Sequence, residues 1–295
     1  MKIGTVLPLF SGDAAKVLGA ARESEELGFD GAFAFDHLFP PGAPSDRPSL
    51  EAFSTLAAVA AATERIALGT LVARASLRPV GMLAKTAAWL DAISGGRCIL
   101  GIGTGDAIDR PEHETFGIPM LDRTDRRAHL EETVEALTAL FAGRAYPGGR
   151  HVPRIEGPIV PPPVQAGGPQ IWLGGLADPV LRIAGRRAGG WNGWGLEPEA
   201  FRAKVEVLRE AAGERAVVPT WAGIVLVGRD EAEAQELLAR RRERGMADEA
   251  WVGTSEQLVA LLSGLRDAGA GWAVLVAAGP ADRRRVIAEE VMTVL

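Results

Sequence analysis

Eight short β-rich runs, each followed by a stretch of helical periodicity, predict a closed parallel (β/α)8 TIM barrel of the α/β class. Two further observations support this fold. The chain has 295 residues, and such a barrel takes about 250, so one domain over 1–295 with an insertion accounts for the length. No second compositional regime appears, and 47% hydrophobic against 24% charged residues is the balance of an ordinary globular core.

The elements follow in order. A strand at 3–9 leads to an amphipathic helix at 14–27, stopped by Gly28, and a strand at 31–35 leads to an Ala-rich helix at 50–63. Strand 66–72 pairs with helix 81–93, and strand 97–103 leads through a long loop to helix 122–141. These four units make up the first half. The stretch 143–168 then breaks the rhythm: Pro147, Gly148, Gly149, Pro153, Pro158 and Pro161 to Pro163 leave no room for regular helix, so an excursion is expected, with a short hairpin at Gly148-Gly149. Strands at 170–174, 190–194, 217–227 and 272–276 complete the eight, with helices at 179–187, 198–212, 230–244, 255–268 and 281–292.

Composition removes several function classes. With 32 basic against 38 acidic residues the net charge is −6, and no basic run offers nucleic acid the phosphate-neutralising cluster it needs. No uninterrupted apolar stretch approaches the roughly 18 residues of a membrane span, and the N-terminal run reads as a strand rather than a signal peptide. The single Cys98 sits in an apolar run, which excludes an internal disulfide and fits a reducing cytoplasm. No serine lies in a nucleophile elbow.

In a barrel of this kind the chemistry sits on the loops that follow the strands. Strand two ends in Asp36-His37, which puts an acid and an imidazole at the mouth, and histidine is the side chain suited to acid and base work near neutrality. Strand four runs into Gly101-Ile102-Gly103-Thr104-Gly105-Asp106. A nicotinamide fingerprint would need a third glycine where Asp106 stands, and a strand-to-helix turn, so that reading is rejected. The glycines would instead admit a planar ligand to the backbone, with Asp106 placed to orient or protonate it. Strand five runs into Gly174-Gly175-Leu176-Ala177-Asp178-Pro179, where free amides at a helix entrance could hold a phosphate, with Asp178 as N-cap. Arg74 and Arg78 after strand three could meet an anionic tail. Glu112-His113-Glu114 diverge in direction and are not read as a metal site.

Taken together these pieces resemble the bacterial luciferase-like superfamily of barrel oxidoreductases. The resemblance is carried by Asp36-His37, Glu64 to Val72, Asp91 to Arg97, the Gly101 to Asp106 loop, Gly174-Gly175 and Ala188 to Trp194. Within it, the Gly-x-Gly-Thr-Gly-acid loop and the Asp-His pair look like the branch that uses the deazaflavin F420. The resemblance implies that His37 and Asp106 are catalytic. It places Asp36, Leu71, Val72, Gly103, Thr104, Gly105, Gly174, Gly175 and Leu176 around the cofactor, and it expects no metal. It also implies a small-molecule substrate, a symmetric homodimer through helices 50–63 and 81–93, and a non-proline cis peptide at Leu71-Val72. Sugar-phosphate dehydrogenases of this branch carry a tryptophan shortly after the histidine, where this chain has Phe39, Pro40 and Pro41. FMN would suit a similar pocket and would make the protein a monooxygenase. A third reading is a flavin-binding protein without catalysis. The excursion and the 107–119 loop are expected to wall the substrate site.

Overall fold

The structure, a computed structural model, describes residues 1–246 and 249–295. Its strands are β1 (Lys2–Val6), β2 (Gly31–Ala34), β3 (Ala67–Thr70), β4 (Ala73–Arg74), β5 (Cys98–Gly103), β6 (Gln170–Gly174), β7 (Gly190–Trp194), β8 (Val218–Gly228), β9 (Trp251–Thr254) and β10 (Trp272–Ala277). All pairings among them are parallel, and the order β10-β1-β2-β3-β5-β6-β7-β8 closes through β8 and β10 into the predicted barrel. The helices are α1 (Ala14–Glu26), α2 (Ala52–Ala62), α3 (Val80–Ser94), α4 (Arg110–Thr115), α5 (Arg123–Phe141), α6 (Asp178–Arg187), α7 (Pro198–Ala212), α8 (Glu231–Glu243), α9 (Ser255–Asp267) and α10 (Arg283–Val286). Among the described residues no helix is long and apolar enough to cross a membrane.

Local chemistry sets the helix ends. Asp13 accepts the Lys16 amide at 3.1 Å to start α1, and Asp122 accepts the Thr124 and Asp125 amides, both at 2.8 Å, to start α5. Gly95, at φ 65°, ends α3 in the left-handed conformation glycine tolerates. Four elements depart from the sequence expectation, the first being α4, a short helix within the stretch read as a long loop. The last helix is short and passes into a π-helical turn at Ile287–Met292. The additional strand β9 pairs with the part of β8 that lies beyond the reach of β7. The run 66–72 is two pieces, β3 and β4, with Leu71 and Val72 between them joined by the expected cis peptide.

Alternation along the strands divides two packed regions. Phe33, Trp172 and Trp272 meet inside the barrel with ring centroids 5.5 to 5.9 Å apart and close its lumen below the mouth. The larger cluster lies between strands and helices, where Leu56, Leu83, Leu137, Leu181 and Leu262 are fully buried.

The excursion is laid along α3 and α5, with His151 3.5 Å from Asp125 in the first turn of α5. Glu132 of α5 accepts the amides of Arg150, His151 and Val152 at 2.8 to 3.0 Å. The fully buried Asp91 of α3 accepts those of Val164 and Gln165 at 2.8 and 2.9 Å. The expected turn at Gly148-Gly149 lies inside an antiparallel bridge between Tyr146 and Ile155.

Candidate active site

The mouth is built from the loops after β2, β4, β5, β6 and β7. Phe33, Phe35 and His37 alternate toward the lumen side, and Phe35 stacks on Phe10 at 6.0 Å while meeting Trp194 edge-on at 5.9 Å. His37 lies 6.2 Å from the Phe10 ring and 6.3 Å from Phe35. These half-buried rings leave His37 at the rim of an aromatic opening.

Behind His37 lies a charged cluster. Its Nδ1 is 2.8 Å from Glu112 Oε1, and Glu112 Oε2 accepts the Leu38 amide and Arg74 Nη2, each at 2.6 Å. The Glu112 side chain is 1% exposed and that of His37 23%. Burial pushes the Glu112 carboxyl upward. The His37 and Leu38 hydrogen bonds and the Arg74 charge outweigh it and hold the group below the ordinary glutamate range. An ionised Glu112 makes Nδ1 the donor, so in the neutral imidazole Nε2 is the free lone pair. Asp109 Oδ1 stands 3.8 Å from His37 Nδ1 and 3.7 Å from Arg74 Nη1. His37, Asp109 and Glu112 could bracket a cation. Glu112 already accepts three hydrogen bonds there, from His37, the Leu38 amide and Arg74.

Asp36 points away from the lumen, buried, with Arg78 on both its oxygens at 2.7 and 2.8 Å and the Arg74 amide at 3.2 Å. Both oxygens of its carboxylate are therefore engaged by Arg78. Arg78 also binds Glu51 at 2.7 Å, while Arg74 is buried with Nη2 on Glu112 and the Asp36 carbonyl and with Nε and Nη1 left without a hydrogen-bond partner among the described residues. Asp106 is exposed and caps the short turn Ala107–Asp109, accepting the Ala107 amide at 2.7 Å. The carboxylate against His37 is Glu112. Gly105, at φ 70°, would bring a Cβ to 3.0 Å from Asp109 Oδ2 and 3.3 Å from Arg74, so glycine lets the cluster close. The Thr104 hydroxyl donates to the Gly105 carbonyl at 3.0 Å.

Leu71 is buried in the lumen cluster, and the Val72 side chain lies across the glycines. A Cβ on Gly103 or Gly174 would stand 2.8 or 2.9 Å from Val72 Cγ2. These glycines therefore make room for Val72, which presents its flank to the mouth. At the β6 loop the Gly175 amide reaches Asn192 O at 3.4 Å, and Ala177 is the N-cap of α6 in place of the expected Asp178. Asp178 lies in the first turn with its carboxylate on Lys204 Nζ at 2.8 Å, turned out of the way. The Leu176 and Ala177 amides have no acceptor among the described residues. A cleft of about 400 Å³ opens between the β2 and β5 loops, walled by Phe39, Pro41, Ile108 and Pro111, with Arg110 and Glu112 in its lining. Burial raises the Cys98 thiol far above its ordinary range, which makes it a packing residue.

The sequence assigns no site role to Glu112, Asp109 or Asn192, or to the rings of Phe10, Phe35 and Trp194. The Asp109 to Glu112 spacing places both on one face of a helical turn, which is the available pattern. His113 turns elsewhere, with Nδ1 3.3 Å from Ile118 O.

A parallel barrel with an imidazole-carboxylate pair and an aromatic opening at the C-terminal ends of its strands has the layout of a barrel enzyme. The family model for luciferase-like monooxygenases matches residues 1–269. This chain belongs to the luciferase-like monooxygenase family. An F420-dependent glucose-6-phosphate dehydrogenase of Microbacterium testaceum is 31% identical over 185 residues, covering 62% of this chain and 53% of that protein. The chain spans about half the length of the curated relatives it matches. In structure it is similar to an F420-dependent secondary alcohol dehydrogenase in complex with an F420-acetone adduct, with TM-score 0.86, 17% identity, and 100% and 99% of the two chains covered. A monooxygenase from Streptomyces bottropensis gives TM-score 0.78 at 24% identity, with 99% of each chain covered. At these identities the structural likeness is one of fold.

Proposed function

We propose that this protein is an oxidoreductase working with the deazaflavin F420 on a small organic substrate, and that 1–295 act as one functional unit. The observation that carries the reading is His37, fixed at the aromatic mouth by a buried Glu112 that leaves Nε2 open. The mouth suits the cofactor's parts. Phe10, Phe35, Trp194 and the flank of Val72 offer apolar faces to a planar ring, and the Leu176 and Ala177 amides at the entrance of α6 offer donors to a phosphate. When bound, F420 supplies hydride exchange at one ring carbon. His37 Nε2 then takes or returns the proton on the substrate oxygen, while Glu112 holds the ring and balances its charge in the protonated state. Phe39, which stands near the tryptophan position of the sugar-phosphate enzymes, walls the cleft with Pro41, Ile108 and Pro111. This favours a substrate with an apolar body.

Thermal melting tests the cofactor pocket. F420 at a hundred times its Kd should stabilise the protein by about 2.7 kcal/mol, a rise of several degrees, while NADPH gives none. An unmoved melting temperature with saturating F420 would argue for a cofactor-free barrel.

The protein is further proposed to act in the cytoplasm as a symmetric homodimer. Met82, Trp89 and Ile93 are 59%, 52% and 39% exposed on α3, and a groove between α2 and α3 continues this apolar face past Phe53 and Ala57. So much exposed apolar surface on one helix suits a self-complementary contact. Light scattering at micromolar concentration should report a dimer, and Trp89→Glu should shift it to monomer. A monomeric wild type would contradict the assembly.

A further inference from the structure

Above the aromatic layer formed by Phe33, Trp172 and Trp272, Asn192 and Thr220 form a polar pair in the lumen. Asn192 on β7 and Thr220 on β8 are register partners. The alternation that puts Trp194, Val218 and Ala222 in the lumen cluster turns these two inward as well, while Trp191 and Trp221 pack among the outer elements. Asn192 is level with Gly174 across the β6–β7 pairing, and Trp172 lies one inward position below. The pair therefore sits between the closed floor and the open mouth.

The hydrogen bonds fix which way the amide faces. The Thr220 hydroxyl donates to the Trp191 carbonyl at 3.0 Å, so its oxygen is left to accept, and Asn192 Nδ2 donates to it at 2.9 Å. Asn192 Oδ1 is turned away from Thr220 and receives no donor from the described residues. The residue is 4% exposed, yet Oδ1 is not sealed among packed atoms. An acceptor oriented by a second hydrogen bond and left facing an otherwise apolar space is suited to a donor that arrives with a ligand.

We propose that Asn192 Oδ1 is the acceptor that reads a ring N–H on the inner edge of the planar ligand, with Thr220 as its positioning residue. The ligand class is a heterocycle carrying an imide N–H, an edge that deazaflavin and flavin rings share. The inference rests on the proposed function in placing a ring in the mouth. It adds which side chain recognises the ring's polar edge, and it implies that a ring without the N–H is rejected, because the buried acceptor would then stay unpaired.

Fluorescence titration tests it with F420 on wild type, Asn192→Leu and Thr220→Val. It is paired with titration of wild type with 8-hydroxy-5-deazariboflavin and its N3-methyl derivative. Asn192→Leu keeps the volume and removes the acceptor, so F420 should bind at least tenfold more weakly, about 1.4 kcal/mol, with the melting temperature of the free protein not lowered. Thr220→Val frees the amide to turn and should cost about threefold. Methylation of the ring nitrogen should weaken binding to wild type at least tenfold, a comparison that needs no variant to fold. Equal affinity of wild type and Asn192→Leu for F420, or of wild type for the two ring compounds, overturns this inference alone. Failure of wild type to bind F420 or the unmethylated ring overturns the cofactor reading with it.

Discussion

Glu112→Leu should destabilise the protein by about 3 to 5 kcal/mol, the usual result of removing one partner from a buried ion pair. The change strands the Leu38 amide and leaves the buried Arg74 with Asp109, at 3.7 Å, as its nearest remaining carboxylate beyond its backbone contact to Asp36. Urea unfolding at neutral pH measures it, and a loss under about 1 kcal/mol would show that the cluster is solvated rather than dry. The effect carries a pH signature. Because the Glu112 carboxyl is held below its ordinary range in the folded state, its contribution is complete above the unfolded value of about 4.3. It is lost as pH falls through the lower folded value. The stability gap between wild type and Glu112→Gln should therefore narrow as pH falls from about 4.3 through that lower folded value.

His37→Ala has the opposite profile. Its Nδ1 bond to Glu112 is one of three donors on that carboxylate, and the Leu38 amide and Arg74 remain in the variant. The stability loss should be about 1 kcal/mol, while hydride transfer falls roughly a hundredfold or more for want of the proton-handling nitrogen. Stopped-flow absorbance of F420 oxidation or reduction, per folded molecule, separates the two effects. Intact turnover with a large drop in stability would make His37 a structural residue, and unchanged F420 affinity with no measurable wild-type turnover would favour a binding protein.

The contrast between these residues shows what the sequence carried. Strand alternation and glycine stops are local, so the barrel, the order of its strands and the loops of its mouth were legible, and His37 stood out as an imidazole at the end of the second strand. Asp36, as its neighbour, faces the other way, and its ion pair was not legible because its partner Arg78 lies 42 residues on. Glu112 was missed because its contact with His37 spans 75 residues. Asp106 attracted the acidic role because it ends a glycine run, yet its exposed carboxylate is spent on a cap, and the buried carboxylates come from the next turn. The glycines that end β5 suggest space for a planar ligand, whereas the space beside Gly103 is taken by Val72, whose position depends on a bend between β3 and β4 that strand propensity does not announce.

The deazaflavin reading is tested most directly by titrating one preparation of the purified protein with F420, reduced F420 and FMN, following fluorescence at equal ionic strength. F420 in one or both redox states should bind at least tenfold more tightly than FMN, a difference of about 1.4 kcal/mol. Equal affinities, or tighter binding of FMN, would contradict it and turn the site toward flavin-dependent monooxygenation.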